Sequence, residues 1–170
     1  MRNRETLVLT AGALLLAVSF LIPSLLGGVV TLPIGPFTAT PASHVPTFLS
    51  VLLGPAAAGI VGLGSAVGFF IKLGPIVGMR AATHIPVGIA GAWLVRKGLR
   101  FPLALLAIAP LHAGMEALIV LAFGFSLRDA GVVVGLGTVI HHLIDSAIAV
   151  LIWRVVYLRT PLAELGKSAR

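Results

Sequence analysis

The sequence predicts an all-α integral membrane protein with six transmembrane helices in a single domain, residues 1–170. Three observations predict it. Hydrophobic residues make up 58% of the chain and charged ones 10%, with a mean hydropathy of +1.11. A soluble domain carries about a quarter charged residues, so this composition suits lipid. The apolar segments fall near 6–28, 43–54, 56–73, 76–95, 101–125 and 131–157. A spanning helix needs roughly 20 such residues to cross a core of about 30 Å. The third observation is the placement of charge. Arg2, Arg4, Arg96, Lys97, Arg100, Arg154, Arg159, Lys167 and Arg170 share one side if six helices cross. With five, the first cluster would face the later two across the bilayer. The positive-inside rule therefore favours six helices with both termini cytoplasmic.

The stretch "MRNRETLVLTAGALLLAVSFLIP" is read as the first membrane helix. Its apolar run, Leu7 to Ile22, is long for a signal-peptide core, and no small-x-small cleavage site follows it. The loop "GVVTLPIGPFTATPA", from Gly28 to Ala42, is expected outside. Pro33, Pro36 and Pro41 prevent it from being helical throughout. It is apolar, so it is expected to fold onto the protein and cap a pocket. Helix two is short and ends in a tight cytoplasmic turn at Gly54–Pro55. "IKLGP", Ile71 to Pro75, makes a second external turn, and "RKGLR", Arg96 to Arg100, a cytoplasmic one. Ala13 and Ala17 form an AxxxA step in helix one, and Gly64 and Gly68 a GxxxG step in helix three. Such steps let backbones approach closely, either within the chain or against another subunit.

Ionisable groups repeat one spacing inside the apolar segments: Arg80 and His84, His112 and Glu116, His141 and Asp145. Residues four apart share a helix face, so three helices each present a polar pair. A charge at the bilayer centre costs about 2.5–3.5 kcal/mol on insertion scales, so these pairs should face a common interior. His44 begins helix two on the external side. Arg80, His84, His44 and Glu116 thus fall in the outer half, where a pocket under the proline-rich loop would collect them. The structural alternative pairs Arg80 with Glu116 and His141 with Asp145 and binds nothing. His142 reads as packing or a hydrogen bond to a neighbouring helix. A third reading is a divalent metal ion (cobalt, nickel or zinc) transported on the His and carboxylate side chains. Arg80 argues against it, because a fixed positive charge beside His84 favours an anionic organic ligand. The expected site therefore contains no metal and no cofactor.

Other classes are excluded more simply. Without cysteine there is no disulfide framework and no thiolate chemistry. HExxH, GxSxG and Walker-A motifs are absent, so neither an enzyme nor a self-powered pump is expected. The net charge of +7 lies in clusters beside apolar runs, which encode membrane orientation and not nucleic-acid binding.

Taken together, the AxxxA step, the external loop, the stretch "FTATPASHVPTFLSVLLGPAAAGIVGLGSAVGFF" and the chain length carry a family resemblance. The chain resembles the substrate-binding S components of energy-coupling factor (ECF) vitamin transporters, and "SHVP" and "RAATH" look most like the niacin-type members. The resemblance implies a cell-membrane subunit that captures a vitamin or precursor from outside. Its loops after helices one and three close over the ligand, which is held mainly by helices four to six. It then docks on a transmembrane coupling protein driven by two ATPase subunits and topples to release its load. Alanines matching Ala13 and Ala17 belong to the docking face. Nicotinate would offer its carboxylate to Arg80 and its ring nitrogen to His84 or His44. His141 and Glu116 would complete the wall, and Phe37, Phe70 or Phe125 would stack on the ring. "HVPTFLSVLLGP" is also similar to thiazole and pyrimidine precursor transporters. Trp93, Trp153 and Tyr157 lie near helix ends and read as interfacial anchors.

Overall fold

The computed structural model of the chain describes residues 2–27, 32–156 and 159. Helix α1 (Arg2–Leu26) is followed by a hairpin of β1 (Leu32–Ile34) and β2 (Phe37–Ala39). Then come α2 (Val45–Ser50), α3 (Pro55–Leu73), α4 (Pro75–Ala82), α5 (His84–Arg96) and α6 (Phe101–Ala122). A π-helical segment, Asp129–Leu136, runs directly into α7 (Gly137–Val155). Tyr157, read from sequence as an interfacial anchor, lies outside the described residues.

Among the described residues, four helices are long and apolar enough to cross a membrane: Arg4–Leu26, Pro55–Leu73, Phe101–Ala122 and Asp129–Val155. The other two sequence segments are built differently. Segment two holds only the six residues of α2, about 9 Å of rise. Segment four is divided at Thr83. Pro86, three residues further on, has no N–H and its ring crowds the carbonyl of Ala82, which interrupts the helix there. Thr83 Oγ1 instead donates to the Arg80 carbonyl at 2.6 Å, and the chain continues as α5.

Small residues set the closest helix contact. Gly64 and Gly68 of α3 pack on α1. A Cβ on Gly68 would lie 2.7 Å from Pro23 Cγ and 2.8 Å from the Phe20 carbonyl oxygen. Ser19 Oγ reaches across the same seam to the Val61 carbonyl at 3.0 Å. At one end of the molecule Gly54, with φ 116°, turns the chain from α2 into α3 against the Arg96 guanidinium. Arg4, Leu53 and Arg96 line one groove there, so the start of α1 and the turns after α2 and α5 share that end. The hairpin occupies the opposite end.

Along α6 and α7 the interior is layered. Phe101, Leu105, Ile108, Ala149 and Trp153 belong to an apolar core with Phe48, Val51, Val87 and Val95. His112, Glu116, Thr138, His141, His142 and Asp145 form a buried polar layer above it. Val120, Ala130 and Val134 close the top with Phe37 from the hairpin. Trp153 departs from expectation. It is buried, and its ring packs on Phe101 at 5.4 Å, because α7 continues the apolar core past the point where an interfacial residue was expected. Trp93 is 55% exposed and carries the Lys97 ammonium 4.7 Å from its ring centroid.

Candidate functional site

The polar layer draws one or more side chains from each of five elements. Arg80 lies in the last turn of α4 and His84 opens α5. His44 precedes α2, where the chain has come inward from the hairpin. His112 and Glu116 share one face of α6, and Thr138, His141, His142 and Asp145 line α7. All are at least nine-tenths buried.

Two carboxylates organise the layer. Glu116 Oε2 accepts from Arg80 Nε at 3.0 Å, Arg80 Nη2 at 2.6 Å and Thr138 Oγ1 at 2.6 Å. Asp145 accepts from the backbone N–H of Ala42 through Oδ1 and that of His44 through Oδ2, both at 3.0 Å. Ala42 sits at φ 62°, an uncommon position for a side-chain-bearing residue, and this bond helps hold it there. Asp145 Oδ2 also lies 2.9 Å from His44 Nδ1 and 3.3 Å from His141 Nε2. The hairpin is tied down by the same groups. Arg80 Nη1 donates to the Pro36 carbonyl at 3.0 Å and to Thr38 Oγ1 at 3.2 Å. His141 Nε2 donates to the Thr40 carbonyl at 3.2 Å. Phe37 lies under the guanidinium, 5.3 Å from ring centroid to Cζ.

The histidines form a cluster around His44. Its ring centroid lies 4.7 Å from His84, 4.8 Å from His112 and 4.5 Å from His141. Arg80, His84, His44, Glu116 and His141 line one cavity of about 20 Å³ with Thr38, Thr40 and Ser43. That is room for a single water-sized body and not for an organic ring.

The sequence-expected site residues thus come together, with Phe37 closing the side behind Arg80. Phe70 does not join them: it is 52% exposed on the outer surface of α3. Phe125 packs on the small apolar cluster at the hairpin end. Sequence reasoning named His112 and Asp145 as members of pairs but left both out of the site, and it missed Thr138 and Ser65, whose Oγ lies 2.9 Å from His84 Nδ1. Only the four-residue spacing could have pointed to the first two. Ser65 and Thr138 carry no such signal. His44 sits deeper than expected, beside Asp145, because the loop descends before α2 begins.

A second feature lies on the lipid-facing side. Ala13 and Ala17 are exposed and line a groove of about 470 Å³ with Leu16, Phe20, Ile60 and Leu63. The two small-residue steps therefore differ: Gly64 and Gly68 are used within the chain, while Ala13 and Ala17 remain open.

Similarity to a known protein decides the family. The niacin transporter NiaX of Lactococcus lactis subsp. cremoris (strain MG1363) is 30% identical over 177 aligned residues. The alignment covers 94% of this chain and 79% of that protein. The chain belongs to the niacin-type S components of ECF transporters. No family model matches the chain, and no solved structure matches it. As an S component it is a multi-pass membrane protein of vitamin uptake and not an enzyme.

Proposed function

We propose that this S component captures nicotinate from outside the cell and delivers it by docking on a coupling protein with two ATPase subunits. The observation that carries the reading is the division of Arg80. Its Nε and Nη2 face the Glu116 carboxylate, while Nη1 is held by two neutral acceptors of the hairpin, Pro36 O and Thr38 Oγ1. A charge-assisted bond to a carboxylate is roughly twice as strong as one to a neutral oxygen. A carboxylate ligand would therefore displace the hairpin from Nη1. The cavity measures about 20 Å³, and lifting the hairpin makes room for the ring beside Phe37, with His84 or His44 facing its nitrogen.

The membrane arrangement in this reading is six crossings with both termini cytoplasmic and the hairpin outside. The short α2 and the divided α4–α5 complete the two crossings that lack a long helix. The open groove at Ala13 and Ala17 is the docking face, where small residues admit a partner helix at close range.

Thermal stability of the detergent-purified protein tests the reading. Nicotinate at about 100 times its dissociation constant should add about 2.7 kcal/mol, and nicotinamide, which lacks the carboxylate, should add none. Arg80→Lys keeps a cation for Glu116 but loses the fork, and should weaken nicotinate binding while the protein stays folded. Equal stabilisation by the two compounds, or by a thiazole or pyrimidine precursor instead, would refute the carboxylate on Arg80. Co-purification with a coupling protein and ATPases tests the assembly.

A further inference from the structure

The hydrogen-bond network fixes the tautomers of two histidines in the polar layer. His142 Nε2 lies 2.9 Å from the Leu105 carbonyl, an acceptor only, so this nitrogen carries the proton. Nδ1 of a neutral His142 is then an acceptor. His112 Nδ1, 3.0 Å away, must donate to it. Nε2 of a neutral His112 is left as a lone pair. It has no hydrogen-bond partner among the described residues, and it lies 3.4 Å from Glu116 Oε1. A lone pair facing a carboxylate oxygen inside a buried layer is repulsive unless positive charge stands between them.

The surrounding donors are arranged the same way. His84 Nδ1 is engaged by Ser65 Oγ at 2.9 Å. His44 Nδ1 lies 2.9 Å from Asp145 Oδ2, a contact too bent for an aligned hydrogen bond. Glu116 Oε2 is taken by Arg80 and Thr138, which leaves Oε1. His84, His112 and Glu116 thus each have one atom taken by an outer partner and one outside those bonds, and His44 has the Asp145 carboxylate behind its Nδ1. Carboxylates, carbonyls and hydroxyls behind the outward nitrogen are how metal-bound imidazoles are oriented. One ligand atom from each of His44, His84, His112 and Glu116 lies within 4.8 Å of the others. Bonds of 2.0–2.1 Å place tetrahedral donors about 3.4 Å apart. The His112–Glu116 pair already has that spacing, and the widest pair needs to close by at most about 1.4 Å.

Charge agrees. The layer holds one guanidinium and two carboxylates, so with neutral imidazoles it is net anionic. Arg80, which from sequence argued against a cation beside His84, points two of its nitrogens at Glu116 and is neutralised there. The neighbouring trio of His44, His141 and Asp145 is also compact, but His141 Nε2 is committed to Thr40 O.

We propose that His44, His84, His112 and Glu116 bind one divalent first-row transition-metal ion at the floor of the cavity. Three imidazoles and one carboxylate suit zinc or cobalt and not magnesium or calcium. The ion shares this cavity with the vitamin: with their inner nitrogens on the ion, His44 and His84 no longer face the ring nitrogen of nicotinate, which is then held through Arg80 and Phe37.

The test is a cobalt titration of chelator-stripped protein, purified without a polyhistidine tag. One Co²⁺ per chain is expected, with the visible absorption of a tetrahedral nitrogen–oxygen site, displaced by Zn²⁺ and unaffected by Mg²⁺. His112→Gln and His84→Gln should each weaken binding at least about 100-fold, and Ser65→Ala, which removes only an outer partner, about 10-fold. Circular dichroism checks that the variants are folded. No stoichiometric uptake by folded protein, or equal uptake by both glutamine variants, would overturn the site and leave a proton on His112 as the bridging charge. Nicotinate stabilisation of the same stripped protein reports on the vitamin reading separately.

Discussion

The two lower layers of the molecule are built from the same helices by opposite means. In the apolar core, Phe101, Leu105, Ile108 and Trp153 fill space and make no polar commitments beyond their backbones. One turn higher on the same faces, His112, Glu116, His141 and Asp145 are equally buried, and each depends on named partners. The apolar layer is tolerant, because van der Waals packing is spread over many contacts. The polar layer is exacting, because a buried charge that loses its partner has neither water nor lipid to solvate it.

Mutations can break this contrast at either level. The largest effect is expected at Arg80. Arg80→Ala leaves Glu116 uncompensated and should destabilise by about 3–5 kcal/mol, with loss of nicotinate binding. Replacing both partners, Arg80→Met with Glu116→Gln, should recover much of that stability but not the binding. A double-mutant cycle on thermal stability reads the coupling, and additive losses would mean that the pair does not act as a unit. Next is the apolar layer. Leu105→Ala opens a cavity and should cost about 3 kcal/mol while nicotinate affinity stays unchanged. A large affinity change would show that the two layers are not separable.

The two small-residue steps sharpen the comparison further. Gly68→Leu would drive a side chain into Pro23 and the Phe20 carbonyl, and should destabilise by about 1–3 kcal/mol through overpacking. Ala13→Trp projects into the open groove. It should leave stability within about 0.5 kcal/mol and nicotinate binding intact, yet block vitamin uptake by cells carrying the coupling module. Normal uptake by that variant would remove the groove from the docking face.

Much of this was legible in the chain. Composition and run length gave the membrane class. The spacing of His112 with Glu116 and of His141 with Asp145 placed each pair on one helix face, and the imidazole Nε2 lies 3.4 Å from the carboxylate in the first pair and 3.3 Å in the second. Arg80 met Glu116, as charge alone would dictate. The pairing of His44 with Asp145, about a hundred residues apart, was not legible. Nor was the depth of the loop that carries His44, or the burial of Trp153 where an interfacial anchor was expected.

The division has a physical basis. Sequence by itself determined which residues share a face, since helical periodicity is local, and which segments prefer lipid, since transfer energies add along the chain. Tertiary structure alone decided which faces meet. Helix rotation and approach depend on contacts such as Gly68 against Pro23, and these also decided which small-residue step was consumed within the fold and which stayed open. They also set the hydrogen-bond chain from Leu105 through His142 to His112, and with it the His112 Nε2 that has no hydrogen-bond partner among the described residues.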